Sequence, residues 1–128
     1  MLIGVVMEPV PDLDALTWLF EDAPDGRNDW RSDWPYTEVV FRTTRDGRTV
    51  SVALDVAYED VRVVISSDST TEVDLSLHDV LSVAADTLHG VETLVVSFRP
   101  STRMLPLRLD LKPVVALRWS MPFPGERT

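Results

Sequence analysis

Apolar and polar positions alternate with period two along much of this chain, and the clearest instance lies between Tyr36 and Val56. Two β-rich runs, 36–44 and 49–56, flank Arg45, Asp46, Gly47 and Arg48. An Asp-Gly pair between such runs is the strongest short-range hairpin signal, because a type I′ turn needs positive φ at both central positions. Gly47 reaches that conformation without steric cost and Asp46 tolerates it. In the return run Val50, Val52, Leu54 and Val56 alternate with Ser51, Ala53 and Asp55, giving one core face and one wetter face. Ala57, Tyr58, Glu59 and Asp60 make a tight connection to a third strand at 61–65, and a polar loop is expected at 66–71.

Ahead of this hairpin, the apolar run 2–7 suits a buried strand and is broken by Pro9 and Pro11. Leu13, Leu16, Leu19 and Phe20 recur at helical spacing, Asp12 stands where an N-cap would, and Asp14 adds charge to the first turn. A short amphipathic helix is predicted over 12–22, stopping before Pro24. Residues 22–35 have no useful period and are rich in turn formers, so they form a loop.

Residues 73–90 fit two periods. As a helix, Leu77, Val80, Leu81, Ala84 and Leu88 form a stripe, capped by Ser76 and ended by His89-Gly90. As strands, Val73, Leu75 and Leu77 alternate with polar residues, and so do Leu81, Val83 and Ala85 with their neighbours. Periodicity alone leans towards a helix at 77–89. Strands follow at 92–99, 104–111 and 114–120, with Pro106 suggesting that 104–111 is an edge. The fold class expected is mainly β (α+β): an antiparallel sheet of about seven to eight strands with one short N-terminal helix. All of 1–128 is expected to be one domain.

Charge changes the picture more than composition does. The chain is 45% hydrophobic and 26% charged, an ordinary globular balance, and its net charge of -9 is unevenly distributed. Residues 8–34 carry eight acids against Arg27 and Arg31, residues 55–92 carry nine against Arg62, and residues 93–128 carry six basic residues against Asp110 and Glu126. Such a field repels nucleic acid and favours a basic protein partner. With no cysteine, disulfides and thiolate chemistry are excluded. The apolar start is too short for a signal peptide or a membrane span, so a cytoplasmic protein with no membrane association is expected.

Candidate chemistry is sparse. His78 and His89 do not have a metal-ligand spacing, and nothing flanks His78-Asp79 like a nucleophile elbow. The carboxylate pairs Glu21-Asp22 and Glu59-Asp60 fall in polar turns, where a solvated role is expected. Arg42, Arg45 and Arg48 cluster at the hairpin tip and balance neighbouring acids. No catalytic residue, metal site or cofactor follows, and the chain reads as non-enzymatic. The loop at 22–35 stands out, placing Trp30 and Trp34 among Asp22, Asp25, Asp29 and Asp33. The two Trp either pack over the sheet as a lid or form a binding loop, since Trp and Arg in an acidic setting are typical interface anchors.

Several positions carry a family pattern: Trp34-Pro35, Glu38-Val39, Asp46-Gly47, Thr49, Val80-Leu81, Leu94 to Phe98, Pro100-Ser101, Leu105 and Leu107. Over roughly 30–115 the chain resembles an all-β immunity-protein family of bacterial polymorphic toxin systems. Where that family has His-Asp after Trp-Pro this chain has Tyr36-Thr37, so no family site carries over. The resemblance implies a strand at 80–86 and a turn at Leu88-His89-Gly90. It also implies a protein that neutralises a cognate toxin, and the acidic field of 8–34 makes Trp30, Trp34, Asp22, Asp25, Asp29 and Asp33 the expected partner-binding set. The toxin, a nuclease for instance, would present the basic surface. Two other classes stay open: an assembly subunit forming homo-oligomers through 104–111, and a small-molecule-binding domain with His78 or His89 in a polar pocket.

Overall fold

Three two-residue turns set the register of the computed structural model, which describes residues 7, 11–21, 25–26 and 38–119. Asp46 and Gly47 have φ of 51° and 77°, Asp68 and Ser69 48° and 66°, and His89 and Gly90 54° and 79°. Positive φ at both central residues is the signature of the type I′ hairpin.

Among the described residues the elements run α1 (Leu13–Phe20), β1 (Asp25–Gly26), β2 (Val39–Arg45), β3 (Arg48–Asp55), β4 (Asp60–Ser67), β5 (Thr70–Leu77), β6 (Val80–Leu88), β7 (Val91–Phe98), β8 (Leu107–Lys112) and β9 (Ala116–Trp119). A short 3-10 turn, Pro100–Thr102, precedes β8. Every strand pairing is antiparallel. They form two sheets, β1-β2-β3-β4-β5 and β6-β7-β8-β9, rather than the single sheet expected. The mainly β class with one short helix holds.

The inner faces of both sheets meet in one core, with Phe41, Val52, Leu54 and Val63 from the first and Leu94, Val96, Leu107 and Leu109 from the second. Full burial of each such side chain contributes about 1.5–3 kcal/mol. Helix α1 rests on β2 and β6 and so bridges the two sheets. It buries Leu16, Leu19 and Phe20, with the Phe20 and Phe41 rings 5.3 Å apart. The Asp12 carboxylate accepts from the Asp14 and Ala15 amides at 3.0 and 3.2 Å. Glu21, left-handed at φ 61°, ends the helix before the proline is reached. The strand expected at 2–7 lies outside the described residues except for Met7, which is fully buried.

Two expectations are corrected and one open alternative is decided. The loop at 66–71 is strand on both sides of Asp68-Ser69; its polarity marks exposed strand ends, not irregular chain. The helix read at 77–89 is strand β6 with its turn, as the resemblance implied. A bulge between Val80 and Ser82 lets Val80 and Val83 both face the core, and that spacing of three imitates a helical period. Finally, β8 is no edge strand, because it pairs with both β7 and β9. Pro106 lies just before Leu107, where its missing N–H breaks no ladder bond.

Candidate functional site

The strands run between two ends, and the ends treat their charges differently. At one lie the 46–47, 68–69 and 89–90 turns, the C-terminus of α1 and the end of β8. Glu21 there is paired with Arg45 at 3.2 Å and with Lys112, whose ammonium also reaches Glu92 at 3.0 Å. Lys112 lies 5.4 Å from the centre of the Trp18 ring, and the Arg45 Nε donates to the Leu111 carbonyl at 3.3 Å. The Lys112 hydrogen bond, helped by the Arg45 charge, holds the Glu21 carboxyl below its ordinary range, and the Glu21 and Glu92 hydrogen bonds push the Lys112 ammonium up. Arg48 pairs with Glu72 at 3.2 Å. Among the described residues Arg45, Arg48 and Lys112 are all ion-paired at this end, while the turn carboxylates of Asp46 and Asp68 form no ion pair.

The opposite end is built differently. Gly26 pairs with Val39 and Asp25 with Val40, so the chain leaves the first sheet at Gly26 and re-enters it at Glu38 on this end. The 56–59 connection and the passage from β5 to β6 through His78-Asp79 lie here too. Asp55 and Asp60 face each other directly across the β3–β4 ladder. Asp60 takes a contact from the His78 Nδ1 at 2.9 Å, while Glu38, Asp55 and Asp79 form no ion pair among the described residues. Arg62, one rung further in, is engaged by Asp74 through Nε at 3.0 Å and Nη2 at 2.8 Å, which holds the Asp74 carboxyl below its ordinary range. Exposed Arg103, after the 3-10 turn, forms no ion pair among the described residues.

Beneath these groups sits a buried ion pair. Glu59 is 5% exposed and its carboxylate accepts from the Arg99 Nε at 2.7 Å and from Arg99 Nη2. Glu59 is left-handed at φ 59°, its N–H donates to the Val56 carbonyl, and its own carbonyl accepts from the Val80 amide at 3.0 Å. The Asp79 carbonyl accepts from the Arg99 amide at 2.9 Å. One carboxylate thus ties the β3–β4 turn of the first sheet to the end of β7 in the second. The expectation that Glu59-Asp60 is a solvated pair is therefore corrected for Glu59: αL geometry turns its side chain inward while Tyr58 is thrown outward at 76% exposure.

Of the six residues the sequence put forward, Trp30, Trp34, Asp22, Asp29 and Asp33 lie outside the described residues. Asp25 has its backbone in β1, at the edge of the first sheet. Glu38, Asp55, Tyr58, Asp60 and His78 were not singled out as partners, and only register brings them together. The available signal was the length of the 56–59 connection, which makes Asp55 and Asp60 opposite neighbours. A cleft of about 160 Å³ lies between them, lined by Glu38, Asp55, Asp60, Arg62 and His78. It is open, and the His78 side chain is 69% exposed, so it is not the deep polar pocket that a small-molecule reading needs. Among the described residues no helix is long and apolar enough to cross a membrane.

No family model matches the chain, and no curated protein does. Among solved structures it is similar to a chain of a contact-dependent growth inhibition toxin - immunity protein complex from Klebsiella pneumoniae 342. The TM-score is 0.75 at 13% identity, covering 91% of this chain and 98% of that one. At that identity the likeness is one of fold, and it is a likeness to the class of toxin–immunity system that residues 30–115 resemble in sequence.

Proposed function

We propose that this protein is a non-enzymatic, cytoplasmic immunity protein that binds a cognate toxin and blocks it through the acidic end of the sandwich. The observation that carries this reading is the fold shared over 91% of the chain with a member of a toxin–immunity complex. The charge layout supports it: among the described residues Glu38, Asp55 and Asp79 form no ion pair at the end where the Trp-bearing segment leaves and rejoins the sheet.

A toxin that cleaves nucleic acid needs a basic site to hold phosphate. An acidic surface is steered onto such a site, with an association rate that falls as salt rises. Trp30 and Trp34 supply aromatic anchors, and Asp22, Asp25, Asp29 and Asp33 supply the charge, so that the occupied site can no longer take nucleic acid. The test starts from the gene directly upstream: a large secreted multidomain protein there supplies its C-terminal domain as the candidate toxin, and a metabolic operon there overturns the proposal. Co-expression of this chain should restore growth to cells producing that domain, and the two should co-elute as a complex. Failure to protect together with failure to associate overturns the proposal.

A further inference from the structure

We infer that Tyr58 is a preformed anchor for a basic protein partner, seated in the turn between Asp55 and Asp60, whose carboxylates receive an Arg or Lys of that partner. This deepens the proposed function and rests on it.

Tyr58 is the most exposed large hydrophobic side chain among the described residues, at 76%. Tyr is among the residue types most enriched at binding hot spots, because it brings a large rigid surface at low conformational cost. The backbone beneath it is fixed on both sides. The Glu59 N–H closes the turn onto Val56, the Val80 amide holds the Glu59 carbonyl, and the buried Glu59 carboxylate is locked by Arg99. Fold stability does not require Tyr58 itself, but its carrier is fixed more firmly than an ordinary surface turn. An anchor held in its bound geometry loses little entropy when it docks.

The flanking charges say what docks. Like charges directly opposite on a sheet are destabilising, and Asp55 against Asp60 is such a pair. The guanidinium closest in register, that of Arg62, points to Asp74 instead. Among the described residues only the His78 contact to Asp60 offsets this repulsion, and a local rule broken in this way is characteristic of functional sites. A partner's cation would complete the compensation, and the open cleft lined by Glu38, Asp55, Asp60, His78 and Arg62, whose guanidinium is held by Asp74, leaves room for one side chain to enter. Nucleic acid is repelled by this surface, and a second copy of the chain would bring the same carboxylates against it. The fitting occupant is a different protein with an exposed Arg or Lys next to an apolar pocket for the Tyr58 ring.

The probe is the purified toxin domain encoded upstream, titrated against the full chain. Tyr58→Ala should weaken Kd on the order of 30-fold, mostly by faster dissociation, while Tyr58→Phe stays near wild type. Asp55→Asn should slow association at low salt, with the difference closing at high salt. Leu88→Ala, exposed beside the 89–90 turn, should change neither rate. Circular dichroism like wild type and a Tm no lower than wild type in all four variants keep the comparison on binding, with Asp55→Asn expected to raise Tm by relieving the facing charges. If wild type binds and Tyr58→Ala binds within about twofold of it, the inference is overturned while the proposed function stands. Should wild type not bind, both fall together.

Discussion

Replacing Glu59 by Gln tests whether the two sheets are tied at the acidic end by the buried ion pair. The substitution keeps side-chain size, the αL backbone and an acceptor oxygen, and removes only the charge. Breaking a fully buried pair by deleting one partner costs about 3–5 kcal/mol, because the remaining charge is left uncompensated. Glu59 meets that condition with a side chain 6% exposed, but Arg99 at 30% can recover part of its hydration. The expected cost is therefore smaller, about 2 kcal/mol. For a domain of 128 residues that lowers Tm by roughly 7 °C. Thermal and urea unfolding of Glu59→Gln, Arg99→Gln and the double variant would give the coupling directly, and about 1–2 kcal/mol is expected. A Tm shift under about 2 °C for Glu59→Gln, or single effects that simply add, would refute the idea that this pair joins the sheets.

Trp30→Ala and Trp34→Ala should each weaken the toxin complex by on the order of 2 kcal/mol; unchanged affinity in both, with circular dichroism intact, sinks their role as anchors. Glu21 is held below its ordinary range by the Lys112 hydrogen bond and the Arg45 charge, so the folded chain binds this proton less readily than the unfolded one. Its contribution is present above the ordinary glutamate value and is lost as pH falls through the lowered one. Glu21→Gln should flatten the acid limb of a Tm-against-pH profile in that window, and superimposable limbs would count against the clasp. Gly47→Ala adds a Cβ with no heavy atom within 4 Å, so its cost is conformational alone, about 1 kcal/mol from the φ of +77°. A urea midpoint equal to wild type would show that the turn relaxes to another type.

Features written in neighbouring residues were legible in the sequence: the Asp46-Gly47 turn, the alternation of β3 and the Asp12 cap. Each rests on chemistry within a few positions. The β6 strand was not legible from period, because its bulge at Val80–Ser82 places two core residues three apart, as a helix does. Pro106 misled for a related reason, since a proline one residue outside a strand has the same composition cue as one on an edge. At the candidate site, charge sign and the Trp-bearing segment were readable, but the Asp55–Asp60 opposition was not. That pair exists only through the register of β3 against β4, and the inward turn of Glu59 depends on an arginine forty residues away. Long-range partners leave no local trace.

The unequal treatment of charge at the two ends argues for a functional division that composition cannot express. A net charge of -9 that served solubility alone would be spread over the surface, with carboxylates matched wherever a cation lies in reach. Here the cations are placed selectively. Arg45, Arg48 and Lys112 are all committed at the hairpin-tip end, and Lys112 satisfies two carboxylates at once. At the other end Arg99 pairs with the buried Glu59 carboxylate and holds a turn. Arg62 is drawn away from Asp55 and Asp60 towards β5. The strands could have accommodated a polar neutral residue at 55 or 60 with no loss of packing, since both side chains point away from the core. Retaining two facing carboxylates there, next to an exposed Tyr58, costs stability and yields a surface that a basic partner completes.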